Sequence, residues 1–155
     1  MKREIFFVAL IGLTLGLVGC APSVVVENKT GFAVRVVVTS ANGSEVVSPS
    51  PGESSSAEVA EGTYRVTVIP DAEWLDHAKA TRKFLNDQLA NSGNLTGAQL
   101  LDVIQRLKDI AARMQQFEST AGGGASCSGA VSSDGGGGVA TITTAANGAL
   151  VVACR

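Results

Sequence analysis

Gly62-Thr63-Tyr64-Arg65-Val66-Thr67-Val68-Ile69-Pro70-Asp71-Ala72-Glu73-Trp74-Leu75 holds the change of period on which the architecture turns. Between Thr63 and Ile69, the residues Tyr64, Val66 and Val68 alternate with Thr63, Arg65 and Thr67. A period of two is the mark of a strand with one buried face. Pro70 cannot donate to a sheet ladder and ends the strand. Asp71 is a good N-cap, because its carboxylate can accept an orphan N–H of a first helical turn. The period then changes to that of a helix, with Trp74, Leu75, Ala78, Leu85 and Leu89 forming its apolar stripe. The chain therefore passes from strand to helix at Pro70-Asp71. Tyr64 is expected in the core. Trp74 is expected to wedge helix and sheet together, the alternative being an exposed anchor for a partner.

This first helix is predicted from Asp71 to about Asn91, with a turn at Ser92-Gly93-Asn94. Thr96 and Gln99 read as a capping box opening a second helix. That helix is predicted to run to about Glu118. Leu100, Ile104, Leu107, Ala111 and Met114 form its stripe, widened by Leu101, Val103, Ile110 and Phe117. Asp102 with Arg106, and Asp109 with Arg113, are acid-before-base pairs four residues apart. Two helices joined by one short turn make an αα-hairpin.

Upstream, Val24-Val25-Val26 opens a strand that closes at Asn28-Lys29-Thr30-Gly31. Phe32 to Thr39 is a second strand, with Phe32, Val34, Val36 and Val38 on one face and Val37 as an apolar exception on the other. Asn42-Gly43 is the dipeptide of a type I′ hairpin turn. Glu45 to Ser48 returns as a short strand, Pro49, Pro51 and Gly52 break it, and Ser54 to Val59 is a weak strand. Downstream, Cys127 to Val131 reads as a strand, and Ser132 to Gly138 as a mobile loop. Val139 to Ala145 and Ala149 to Cys154 then read as a closing hairpin around Asn147-Gly148. A two-residue turn there would set Thr143, Leu150 and Val152 against Ile142 and Val151 on opposite faces. Either both faces are covered or the register carries a bulge. The expected fold is α+β: a small antiparallel β-sandwich or β-sheet with an inserted αα-hairpin. It would form a single domain over residues 23–155, with β structure at 23–69 and 127–154 and the hairpin at 71–118.

The chain has 155 residues, about the length of one domain. It carries 12 Lys+Arg against 14 Asp+Glu, a net charge of −2. Without a basic excess it lacks the electrostatic footprint of a nucleic-acid-binding protein. His77 is its one histidine. It follows Asp76 and lies four residues after Glu73, a spacing that could hold a weak metal site or a general base. No further ligand stands at motif spacing, and a solvated helix histidine is expected. The closest approach to a nucleophile elbow is Ser126-Cys127-Ser128-Gly129, which lacks the Gly-x-Ser-x-Gly pattern. Gly135 to Gly138 lacks the Lys-Ser/Thr and the helix of a phosphate loop. Asn28-Lys29-Thr30, Asn42-Gly43-Ser44 and Asn94-Leu95-Thr96 match the glycosylation triplet but read as turn and cap residues. No catalytic residue, metal ligand or cofactor is assigned.

The N-terminus has its own logic. Met1-Lys2-Arg3-Glu4 is a mostly basic start, followed by an uncharged apolar run from Ile5 to Gly19. That run is shorter than the roughly 20 residues of a spanning helix. It ends Leu17-Val18-Gly19-Cys20, which resembles the lipobox of bacterial lipoproteins. The resemblance implies a signal peptide over residues 1–19, cleavage between Gly19 and Cys20, and a diacylglycerol-modified Cys20. It implies an extracytoplasmic protein held on the bacterial membrane through acyl chains, with residues 20–22 as tether. Ala21, rather than Asp, leans toward the periplasmic face of an outer membrane where the organism has one.

In such an oxidising compartment Cys127 and Cys154 read as a disulfide. The alternative, a redox pair, lacks a Cys-x-x-Cys motif. Three functional classes remain. The first is a non-catalytic protein that binds another envelope protein, with Lys79, Lys83, Asp102 and Arg106 on the hairpin surface as candidate contacts. The second is a small-ligand or inhibitor module using the glycine-rich loops. The third is an enzyme centred on Glu73, Asp76 and His77.

Overall fold

The computed structural model of the chain describes residues 21–120 and 123–155. The signal segment, Gly19 and Cys20 lie outside the described residues. In chain order the elements are β1 (Ser23–Asn28), β2 (Val34–Ser40), β3 (Gly43–Val47), β4 (Ser54–Glu58) and β5 (Gly62–Pro70), then helix α1 (Ala72–Ala90), a one-turn 3-10 helix (Ser92–Asn94) and helix α2 (Gly97–Thr120), and finally β6 (Ala125–Val131), β7 (Gly138–Thr144) and β8 (Leu150–Cys154). The fold is α+β, with two four-stranded sheets ordered β4-β1-β7-β8 and β3-β2-β5-β6. They face each other across one core. Val24, Val26, Ala57, Ala140, Ile142 and Val152 enter it from the first sheet, and Val34, Val36, Val38, Tyr64, Val66 and Val68 from the second. The architecture is therefore a sandwich, not a single sheet. The alternation seen in β2 and β5 is what allows one face of each strand to be dry.

One pairing departs from an all-antiparallel sandwich. β1 and β7 run parallel, with Val25 opposite Val139 and Glu27 opposite Thr141. Thr141 Oγ1 donates to Glu27 Oε2 at 3.0 Å, and Lys29 Nζ lies 3.4 Å from the same carboxylate. Together they hold the Glu27 carboxyl below its ordinary pKa.

The two hairpin turns are built differently from their sequence signals. Ser40 pairs with Gly43, so Ala41 and Asn42 form the tip of the β2–β3 turn. Only Gly43 has a positive φ, +123°, so this is not a type I′ turn centred on Asn42-Gly43. The observed register places Val47 against the core. At the other hairpin, Ile142 pairs with Val152, Thr143 with Val151 and Thr144 with Leu150. Ala145 N–H donates to Ala149 O at 2.8 Å, leaving Ala146, Asn147 and Gly148 as the loop, with Gly148 at φ +84°. This three-residue loop with a left-handed glycine removes the conflict of faces. Ile142, Leu150 and Val152 are buried together, and Val151 faces out. The segment predicted as a mobile loop is a turn, closed by Gly135 N–H donating to Ser132 O at 3.3 Å and by a bridge between Ser132 and Gly136.

Two packing features carry much of the sandwich. Tyr64 is buried, and burial raises the pKa of its hydroxyl, which donates to Arg155 O at 3.4 Å. Its ring lies against Gly129 and Gly138, where a β-carbon on either would overlap it. Asn28 is buried and fully bonded. Its Nδ2 donates to Phe32 O and Pro49 O, both at 2.9 Å, and its Oδ1 accepts from Thr30 N–H at 2.9 Å. It ties the β1–β2 turn to the loop before β4. Asn28→Ala should cost about 2–4 kcal/mol in urea unfolding, because it strands buried carbonyls and an N–H. A cost below 0.5 kcal/mol would show that water replaces these bonds, about the range of an ordinary surface change.

The disulfide joins the sheets. Cys127 is on β6 and Cys154 on β8, with Cα atoms 5.7 Å apart. At the opposite side of the sandwich, Glu58 N–H donates to Glu45 Oε2 at 2.7 Å and Ala60 N–H to Ser40 Oγ at 3.1 Å.

Candidate functional site: a projecting helical hairpin

The strands define two poles. β5 ends at Pro70 and α2 returns into β6 at one pole, beside the C-terminal end of β1 and the N-terminal end of β2. β1 begins at the other pole, where Ser23 pairs with Glu58. The described N-terminus and the hairpin thus leave the sandwich at opposite ends. At the hairpin end Asp71 caps α1 as expected, accepting from Glu73 N–H at 3.1 Å. At the tip the capping box is formed: Thr96 N–H donates to Gln99 Oε1 at 2.9 Å, and Gln99 N–H to Thr96 Oγ1 at 3.3 Å.

The hairpin stands on its base. Phe32 of the β1–β2 turn, Trp74 of α1 and Phe117 of α2 form an aromatic trio. The Phe32–Phe117 centroids are 5.3 Å apart and edge-on, and Trp74 stacks on Phe117 at 5.6 Å. Trp74 therefore wedges rather than anchors a partner. On the other side of α2, Gln116 makes two bonds. Its Oε1 accepts from Gly31 N–H at 3.2 Å, and its Nε2 donates to Thr144 Oγ1 at 2.6 Å. Beyond the base, Ala78 and Leu85 of α1 are buried with Val103 and Met114 of α2, none of them part of the sandwich core. With 19 residues in α1 and 24 in α2, the helices are about 28 and 36 Å long. Most of that length projects.

The helical period assigns the surface residues to sides. On one side Gln88 and Leu95 border a groove with Asp102, Val103 and Arg106, and Phe84 lies beside it, 58% exposed. Glu73 and His77 share that side of α1, both exposed. The other side carries Lys79 and Arg82 of α1 with Leu100, Ile104, Leu107 and Ala111 of α2, and Lys83 and Lys108 flank it. The four candidate contacts are thus divided between the two sides. Lys79 and Lys83 belong to one side, and Asp102 and Arg106 pair with each other at 3.7 Å on the opposite one. Asp109 accepts from Gln105 Nε2 at 2.9 Å, and no Asp109–Arg113 ion pair is present among the described residues.

Among the described residues no three His, Cys, Asp or Glu side chains gather at metal-binding distance. No helix among them is long and apolar enough to cross a membrane. Four surface grooves among the described residues have volumes of about 270 to 400 Å3. Arg82, Lys108 and Gln116 escaped the sequence reading. Arg82 is three residues from Lys79 and could have been found by helical spacing; nothing in the sequence marks Gln116. Comparisons with protein-family models, curated proteins and solved structures find no match to this chain.

Proposed function

We propose that the protein is an extracytoplasmic lipoprotein, anchored through acylated Cys20, whose sandwich supports a non-catalytic, partner-binding helical hairpin. The observation that carries this reading is the opposition of the two poles. Pro22 O accepts from Val59 N–H at 3.0 Å, so the chain is held to the sandwich two residues after Cys20. Two residues span about 7 Å at full extension. An acyl anchor at Cys20 would therefore set that pole against the membrane and direct the hairpin away from it. The nine residues of β5 and the nineteen of α1 put the tip on the order of 50–60 Å from the anchor. Two exposed helices carried at that height suit contact with another envelope protein.

Anchorage is tested by Cys20→Ala in cells fed labelled palmitate. The parent chain should take up label and sediment with membranes, and the variant should do neither. Label retained by the variant, or absent from the parent, would reject the lipoprotein reading.

A further inference from the structure

We infer that the hairpin side bearing Leu100, Ile104, Leu107 and Ala111 docks an acidic amphipathic helix of a partner protein. This rests on the partner-binding reading above and specifies its surface and the partner's chemistry. The first argument is coverage. The apolar arc of α2 runs from Phe117 through Val103, Met114, Leu107 and Leu100 to Ile104 and Leu101. It spans about 200° of circumference, where a single stripe needs about 100°. α1 covers the first half, burying Val103 and Met114. Leu100, Ile104, Leu107 and Ala111 stay half-buried and Leu101 is 69% exposed.

The second argument is charge. Lys79, Arg82 and Lys83 run along α1 on this side, and Lys108 stands across on α2. Arg82 and Lys108 make no ion pair among the described residues. Lys79 lies 4.0 Å from Asp76 and Lys83 3.3 Å from Asp87, exposed pairs that hold little energy. The acid on this side of α2 is Glu118, about 15 Å below Lys108. An apolar strip with a basic rim on α1 and Lys108 on α2 is complementary to a helix with apolar residues on one face and Asp or Glu along its borders. A second copy of this chain would bring like charges together. The sandwich cannot fold over the strip, because the aromatic trio and Gln116 hold the hairpin upright. The partner helix would lie in the groove between α1 and α2 and complete a three-helix bundle.

The test is titration of the full chain, in detergent micelles, with a synthetic helical peptide carrying Leu on one face and Glu on its borders, and with its Lys-bordered isomer. The Glu peptide should bind about tenfold tighter than the Lys peptide, and more weakly as salt rises. The double change Arg82→Glu/Lys108→Glu should reverse that preference, and Arg65→Glu on the sandwich should leave it unchanged. Equal binding of the two peptides, or binding of neither, would overturn the inference. So would sedimentation with phosphatidylglycerol but not phosphatidylcholine vesicles in the absence of peptide binding, which would make the face a lipid surface. Photocrosslinkers at Ile104 and at Phe84, in the protein's own membranes, separate this inference from the reading beneath it. Adducts at Phe84 alone would overturn the docking side while the partner-binding role stands, and adducts at neither would overturn both.

Discussion

Phe32→Ala should destabilise the protein by about 3–5 kcal/mol and free the hairpin from the sandwich. Phe32 is fully buried, and it touches both Trp74 and Phe117. Removing a buried aromatic loses its transfer energy and leaves a cavity. Each aromatic pair adds about 0.5–1.5 kcal/mol beyond area burial. The cavity would sit under the hinge, where few other apolar contacts join hairpin to sandwich. Urea unfolding should show the loss, and amide exchange should quicken in α1 and α2 more than in β2 or β5. A loss below 1 kcal/mol, or exchange that quickens evenly, would mean that the hairpin is held elsewhere; typical single changes cost about that much. The outcome bears on function, because a hairpin without its base no longer presents its sides at a set angle.

The second large effect belongs to the disulfide. Replacing both Cys127 and Cys154 by Ala should cost about 3–4 kcal/mol and lower Tm by about 10–15 °C. The two cysteines are 27 residues apart in sequence, and their bond closes a loop that contains the whole β6–β7 turn. Without it the unfolded chain gains freedom, and β6 and β8, the last strands of their sheets, lose their tie. Reduced wild-type protein should unfold with the double variant. A variant as stable as the oxidised parent would show that strand pairing alone closes this side of the sandwich.

Much of the fold could be read from residues near one another in the chain. The change of period at Pro70-Asp71, the cap at Asp71 and the box at Thr96 and Gln99 are all decided within a turn or two. The two turn readings that failed needed distant information. Asn42-Gly43 is a good turn dipeptide, but the tip falls on Ala41 and Asn42, with Ser40 paired to Gly43 and Val36 to Val47. The β7–β8 turn looked like two residues and is longer, because Ile142 and Val152 have to meet. The candidate contacts were chosen for exposure and charge on two helices. Which sides those helices turn to each other depends on how Leu85 and Ala78 meet Val103 and Met114.

The strands and the two helices with their caps were legible from residues close together in the chain, because period and capping signals are local. Other features arise only in the folded chain: the strands split into two sheets, Val25 runs parallel beside Val139, the Cys127–Cys154 bond spans the sheets, and the hairpin stands off the sandwich. Those are pairings between segments far apart in the chain. Each is selected by which faces can be buried together, a competition among all the apolar faces at once.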